Sequence, residues 1–158
     1  MTIPAQTFRM IRAAAIAWLL CVSTGCGGGP APSQAIMTPE PARLQIGDLD
    51  VQASTAPLHA LPAAVLRRYG IAASDRGVLL LVTARRAERS VPAQVSVFVT
   101  DLRGERRPLP MRAVQVEGYQ DHLGVVEVAP PETLRFDVRI AIDGQSPARL
   151  QFSRDFAR

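Results

Sequence analysis

"LRFDVRIAI", residues 134–142, decides the fold. Leu134, Phe136, Val138, Ile140 and Ile142 alternate with Arg135, Asp137, Arg139 and Ala141. A period of two places successive side chains on opposite faces of a strand, one against a core and one toward water. The alternation puts Asp137 on the solvent face. Asp143-Gly144 follows as a turn signal, and Leu150 and Phe152 resume the pattern on an antiparallel partner.

Working outward, the same period recurs upstream. Val95, Val97 and Val99 alternate with Gln94, Ser96 and Phe98, and Leu109–Glu117 and His122–Val128 read as further strands. Val78–Val82 is a continuous apolar run, the pattern of a strand buried on both faces. Two segments change parity midway. Leu44 and Ile46 share one face and Leu49 and Val51 the other, with Gly47-Asp48 between, which suggests a bulge or bend serving two sheets. The apolar set from Leu109 to Val116 switches after Ala113. One helix interrupts the strands: Leu61, Val65, Leu66 and Tyr69 form a single apolar stripe. Pro62 suits its first turn, Arg67 and Arg68 suit the negative end of the dipole, and Gly70 suits a left-handed cap. The expected fold is all-β, an immunoglobulin-like two-sheet sandwich of about seven strands with one short helix. A small β-barrel is the alternative.

The chain has 158 residues, and its beginning reads as an export signal rather than as part of the fold. Arg9 and Arg12 precede the uncharged, mostly apolar run Ala13–Val22, about half the ~20 residues a membrane-spanning helix needs. Ser23-Thr24-Gly25-Cys26 then resembles the lipobox of bacterial lipoproteins, in which the thiol is lipidated and becomes the mature N-terminus. Ser23 departs from the usual leucine. Ordinary secretion is the alternative. Gly27 is not the aspartate associated with inner-membrane retention, so the outer membrane is favoured. The expected organisation is a signal peptide over 1–25, a lipidated Cys26 with a Gly/Pro-rich tether to residue 41, and one domain over 42–158. At ~3.1 Å per residue a Pro-rich tether of this length reaches about 45 Å from the lipid surface.

Eighteen basic residues face fourteen acidic ones in the whole chain, and losing Arg9 and Arg12 brings the mature chain close to balance. That gives no case for nucleic-acid binding. Every basic residue is arginine, and there is no asparagine, a pattern a GC-rich genome explains. With Cys21 in the signal and Cys26 lipidated, the domain has no thiol for a disulfide, a thiolate metal site or cysteine catalysis.

"LPAAVLRRYGIAASDRGVLLLV" (61–82), "VPAQVSVFVTDLRGERRPLPMRAVQVEG" (91–118) and the closing "LRFDVRI…LQFSRDF" resemble the bacterial domain-of-unknown-function family 4426. The matching points are Tyr69-Gly70-Ile71, Leu102-Arg103-Gly104, Phe136 and Phe152…Phe156. Ala73-Ser74 stands where that family carries an Arg-Ser pair, and Gly124-Val125-Val126 where it tends to carry two tyrosines. The resemblance implies an exported β-rich domain and brings no activity and no functional residues.

Chemistry is sparse. His59 and His122 could ligate a metal with Asp48, Asp50, Met37 or Met111, since imidazole and thioether suit copper and imidazole with carboxylate suits zinc. They lack ligand spacing. Ser74 could join either histidine as a nucleophile, but there is no G-x-S-x-G elbow. Glu117, Glu127 and Asp137 could pair as acid and base. No cofactor and no metal site is expected. The leading expectation is a lipid-anchored, periplasm-facing, non-enzymatic module that contacts the membrane through Cys26 and binds another envelope component, with strand addition as the contact mode. A small metal carrier or hydrolase using His59 and His122 is the alternative, and a ligand cavity between the sheets ranks third.

Overall fold

In a computed structural model, residues 39–157 are described. The expected signal peptide, Cys26 and most of the expected tether lie outside the described residues. The strands are β1 Ala42–Ile46, β2 Leu49–Pro57, β3 Gly77–Arg86, β4 Arg89–Ser90, β5 Gln94–Thr100, β6 Arg106–Leu109, β7 Arg112–Val116, β8 Tyr119–Glu127, β9 Glu132–Ala141 and β10 Ala148–Phe156. One sheet runs β1-β2-β3-β8-β7, with β4 on β3, and the other runs β10-β9-β5-β6. Every pairing is antiparallel. The two sheets enclose one main core, so the chain is an immunoglobulin-like sandwich and not a closed barrel.

Alternation places that core. Leu134, Phe136, Val138 and Ile140 of β9 are at most 1% exposed and meet Leu49, Val51, Val78, Leu80 and Val82 of the other sheet. Phe136 is the largest fully buried side chain, and its ring stacks on Phe152 of β10 at 5.0 Å between centroids. The run Val78–Val82 is covered on both faces, as read. Val78, Leu80 and Val82 point into the main core, while Leu79 and Leu81 join a second cluster with Leu58, Leu66 and Leu123.

That second cluster is the underside of α1, Ala63–Tyr69, and of the 3-10 turn Leu58–Ala60. Gly70 ends the helix in the left-handed region (φ 60°), where a glycine has no Cβ to clash. Arg112 of β7 caps the exposed carbonyls by donating to Tyr69 O and Gly70 O.

Three expectations need correction. The described residues form ten strands and not about seven: Leu44–Val51 and Leu109–Glu117 each divide between two strands, and Arg89–Ser90 adds a short one. Gly47-Asp48 is a two-residue hairpin turn and not a bulge: Ile46 pairs with Leu49, and Gly47 has φ 61°. Facing strands of a hairpin restart the alternation independently, which produces the apparent parity change. The Leu109–Glu117 segment is two strands in different sheets, and the crossing falls at Pro110-Met111 rather than after Ala113.

Candidate functional site

β2, the 3-10 turn, the start of β3 and the end of β10 converge at one end of the sandwich around a cavity of about 410 Å³. Its buried wall is Thr55, Gly77, Val78, Val128 and Phe156, and Pro39, where the described chain begins, also lines it. His59, Asp75, Arg76 and Asp155 are exposed at its rim. Arg154 donates to the carbonyl of Glu40 at 2.6 Å and so fastens the incoming chain to β10.

Thr55 is the unusual member of this wall. Along β2 the inward row reads Leu49, Val51, Ala53, Thr55, each at most 2% exposed. The Thr55 hydroxyl is buried without a hydrogen-bond partner. A buried unpaired hydroxyl costs on the order of 1–3 kcal/mol, so it marks either a stored cost or a missing partner.

The two histidines are not brought together. His59 sits exposed at the cavity rim, whereas His122 is 5% exposed on β8 and faces the interior. His122 pairs with Val82, and the cavity reaches only to Val78, about 13 Å away at ~3.3 Å per strand residue. His122 Nε2 lies 3.0 Å from Ala93 O. A carbonyl only accepts, so Nε2 carries the proton and Nδ1, also buried, is left without a partner. Burial pushes the imidazole pKa down, against smaller opposing effects of the Ala93 carbonyl and Asp121.

A depressed folded-state pKa means that the unfolded chain takes up the proton first. Stability is therefore whole above about pH 6.5 and falls as the pH drops from there toward the folded-state pKa, by up to about 1.4 kcal/mol per pH unit. Urea denaturation from pH 7.5 to 5 should show this decline in the wild type. In His122→Gln that part of the slope should disappear.

The other candidates are dispersed. Asp48 pairs with Arg86 at 2.9 Å, Asp50 accepts from Gln52, and Glu117 pairs with Arg68 at 3.0 Å. Ser74 donates to Glu127 at 3.3 Å. Met111 and Ser74 lie in a separate, wider hollow of about 620 Å³ beneath Gly70–Ser74. Met37 and Cys26 fall outside the described residues. Among the described residues no group of three histidine, cysteine or acidic side chains is placed to hold a metal.

Asp137 corrects the reading. It lies on the outer face as alternation requires, yet it is only 5% exposed. Arg149 grips both of its oxygens at 2.7 Å, and Arg106 reaches it at 3.3 Å while lying 3.6 Å above the Phe98 ring. Arginines roof the carboxylate over; it is not sunk in the core. The Arg149 hydrogen bonds hold its pKa below the usual carboxylate range, against the raising effect of burial. Its contribution to stability is present above about pH 4 and is lost as the pH falls toward that lowered value. The pair-forming use of Asp137 is thus structural.

Sequence reasoning missed Thr55 and the cavity. The available sign was a hydroxyl in the fourth place of an otherwise aliphatic row.

Solved structures share this architecture. A protein from Pseudomonas aeruginosa PAO1, described as a DUF4426 family protein, is 25% identical, with 74% of this chain and 94% of that chain covered and a TM-score of 0.66. Two structures of FetP from uropathogenic Escherichia coli strain F11 are 11% identical with TM-scores of 0.54. One is a copper-bound variant, covering 73% of this chain and 95% of that one. The other is FetP as isolated after expression in the periplasm, covering 75% and 95%. At that identity the likeness is one of fold. No curated protein matches the chain. The family model for the domain of unknown function DUF4426 matches residues 43–157, from the first strand to the end of the last, and the chain belongs to that family.

Proposed function

We propose that this protein is a lipid-anchored binding module of the cell envelope, held by Cys26 and presenting the cavity at the end of its sandwich to a ligand. The observation that carries the reading is the cavity itself: a hollow of about 410 Å³ with a buried apolar wall and an open charged rim. Sites for small molecules are concave, mostly apolar and typically 300–1,000 Å³ in volume. Catalysis is not part of the proposal. His59, Asp75 and Asp155 are exposed, Asp155 accepts from Thr133 at 2.7 Å, and among the described residues no histidine–serine hydrogen bond is formed. The export pattern and Ser23-Thr24-Gly25-Cys26 support the location, and so does a fold relative that was prepared from a periplasm.

The location is tested by mass spectrometry of protein taken from its own membranes. A mature chain beginning at Cys26 with a diacylglyceryl group and an amino-terminal acyl chain is the expected result. Cys26→Ser should shift the protein from the membrane to the soluble fraction, because each buried methylene contributes ~0.8 kcal/mol to anchoring. An unmodified full-length chain in the cytosol overturns the reading.

Copper bound to the E. coli relative favours a second reading, a metal carrier. In this chain it would use His59 at the rim without His122. Elemental analysis of protein purified without chelators, alongside His59→Ala, decides between the two.

A further inference from the structure

We propose that the outer face of the β10-β9-β5-β6 sheet docks on the anionic headgroups of the membrane that holds Cys26. The inference goes beyond the cavity and takes from the proposed function only the anchored location.

Alternation along β9 sends Arg135, Asp137 and Arg139 to one side, away from the core. The register completes the face: Arg149 of β10 lies opposite Arg139, and Arg106 of β6 is separated from Arg135 by Thr100. Four guanidiniums thus surround one carboxylate. The described residues hold fifteen arginines and fourteen carboxylates, and with these five set aside eleven and thirteen remain. The excess positive charge of the domain is gathered here. Asp155 shares the face only at its far end, where it accepts from Thr133.

Asp137 fixes this array rather than neutralising it. It accepts twice from Arg149 and once from Arg106, which also rests on the Phe98 ring. Both arginine side chains nevertheless stay 53% and 44% exposed. A guanidinium has five N–H donors, so most remain for an acceptor from outside. Arg135 and Arg139 are exposed, with no hydrogen bond or ion pair from their side chains among the described residues. Arg139 and Arg149 are like charges directly opposite on neighbouring strands, a destabilising arrangement that an anion laid over the face would relieve.

The layout selects the kind of anion. The arginines do not converge on a pocket; their strand positions spread over about 13 Å along β9 and about 14 Å across the four strands. One phosphate cannot reach them all, whereas a plane of headgroups can, and guanidinium pairs its donors with phosphate oxygens. The incoming chain points the same way. Arg154 of β10 holds the Glu40 carbonyl, so the chain arriving from Cys26 joins the domain beside the edge strand of this sheet. A tether reaching about 40 Å lets that sheet lie on the bilayer.

The test uses the full protein taken from its own membranes and reconstituted into vesicles of phosphatidylcholine, alone or mixed with anionic phosphatidylglycerol. A fluorescent donor is attached through Gln94→Cys, at the end of this face, or through Ala64→Cys on α1, which packs behind the other sheet. The lipid headgroups carry the acceptor. Flotation with the vesicles reads the anchor, and energy transfer reads the face. Flotation with both vesicles is expected, with high transfer from Gln94→Cys on the anionic ones alone. Salt should lower that transfer, since the Debye length contracts from about 10 Å at 0.1 M to about 3 Å at 1 M. Arg135→Gln with Arg139→Gln should weaken docking roughly thirtyfold, about fivefold for each arginine near an anionic surface. Arg67→Gln with Arg89→Gln removes the same charge elsewhere and should leave transfer unchanged.

Equal transfer on the two vesicles, stronger transfer from Ala64→Cys, or full transfer in the Arg135 and Arg139 double variant would overturn the docking face while leaving the anchor. Release by inorganic phosphate at constant ionic strength would overturn the membrane as its occupant in favour of a free phosphate. Flotation with the anionic vesicles alone would overturn the anchor and keep the face. Flotation with neither would overturn both.

Discussion

Replacing Phe136 by alanine is expected to lower the unfolding free energy by about 3–5 kcal/mol, the usual cost of removing a fully buried aromatic. For a domain of this size that is a fall in Tm of roughly 10–20 °C. Phe136 has no exposed surface, it opposes Val99 on β5 and Phe152 on β10, and it is the largest side chain wholly enclosed between the sheets. Little can collapse into the space, because its neighbours are held in register by strands on both sides. Phe152 is only half-buried, so Phe152→Ala should cost about half as much. The ring stack at 5.0 Å and 15° should appear as a coupling of about 0.5–1.5 kcal/mol in the double-mutant cycle. A loss below 1 kcal/mol for Phe136→Ala, measured by denaturant titration, would contradict its place at the centre of the core.

The second large effect is expected at Gly124. In an ordinary strand, alanine is better than glycine by roughly 0.5–1 kcal/mol. Here a Cβ would stand 2.8 Å from Pro110 O, 2.7 Å from Met111 Sδ and 3.1 Å from Leu109 Cγ. The sulfur ends a flexible side chain and can move. The carbonyl belongs to the crossing between β6 and β7 and can yield only if that crossing shifts. Gly124→Ala should therefore destabilise by about 1–3 kcal/mol, as overpacking does. Adding Met111→Ala should recover only part of the loss, because the carbonyl remains. Full recovery would show that sulfur alone filled the space, and a stabilised single variant would contradict the close approach of the two segments.

The strands that alternate cleanly were legible in the sequence because one side chain in two must meet hydrocarbon. β9, β10, β5 and the doubly covered β3 follow from that pattern, and α1 from its stripe and its Gly70 cap. What escaped depends on partners far along the chain. Nothing local distinguishes a bulge at Gly47-Asp48 from a hairpin turn, since both need a glycine. Asp137 was placed on the correct face, but its exposure was decided by Arg149 and Arg106, which arrive from other strands. For the candidate site, His59 was noticed for its chemistry and does reach the cavity rim. His122 was noticed equally and proves to be interior, its ring committed to Ala93. Thr55 was overlooked because a threonine is unremarkable in a strand until its missing partner is seen.

The pairing of β3 with β8 has a kinetic consequence. The two central strands of one sheet are separated along the chain by β5 and β6, which belong to the other. A chain growing from its N-terminus can close the β1–β2–β3 meander early, but β3 then waits for its neighbour until most of the domain has emerged. During that interval Val78–Val82 offers an open, apolar edge. Such non-local closure makes for slow folding and a stage at which chains can stick to one another. Self-association in refolding experiments should accordingly rise with concentration and originate at this strand.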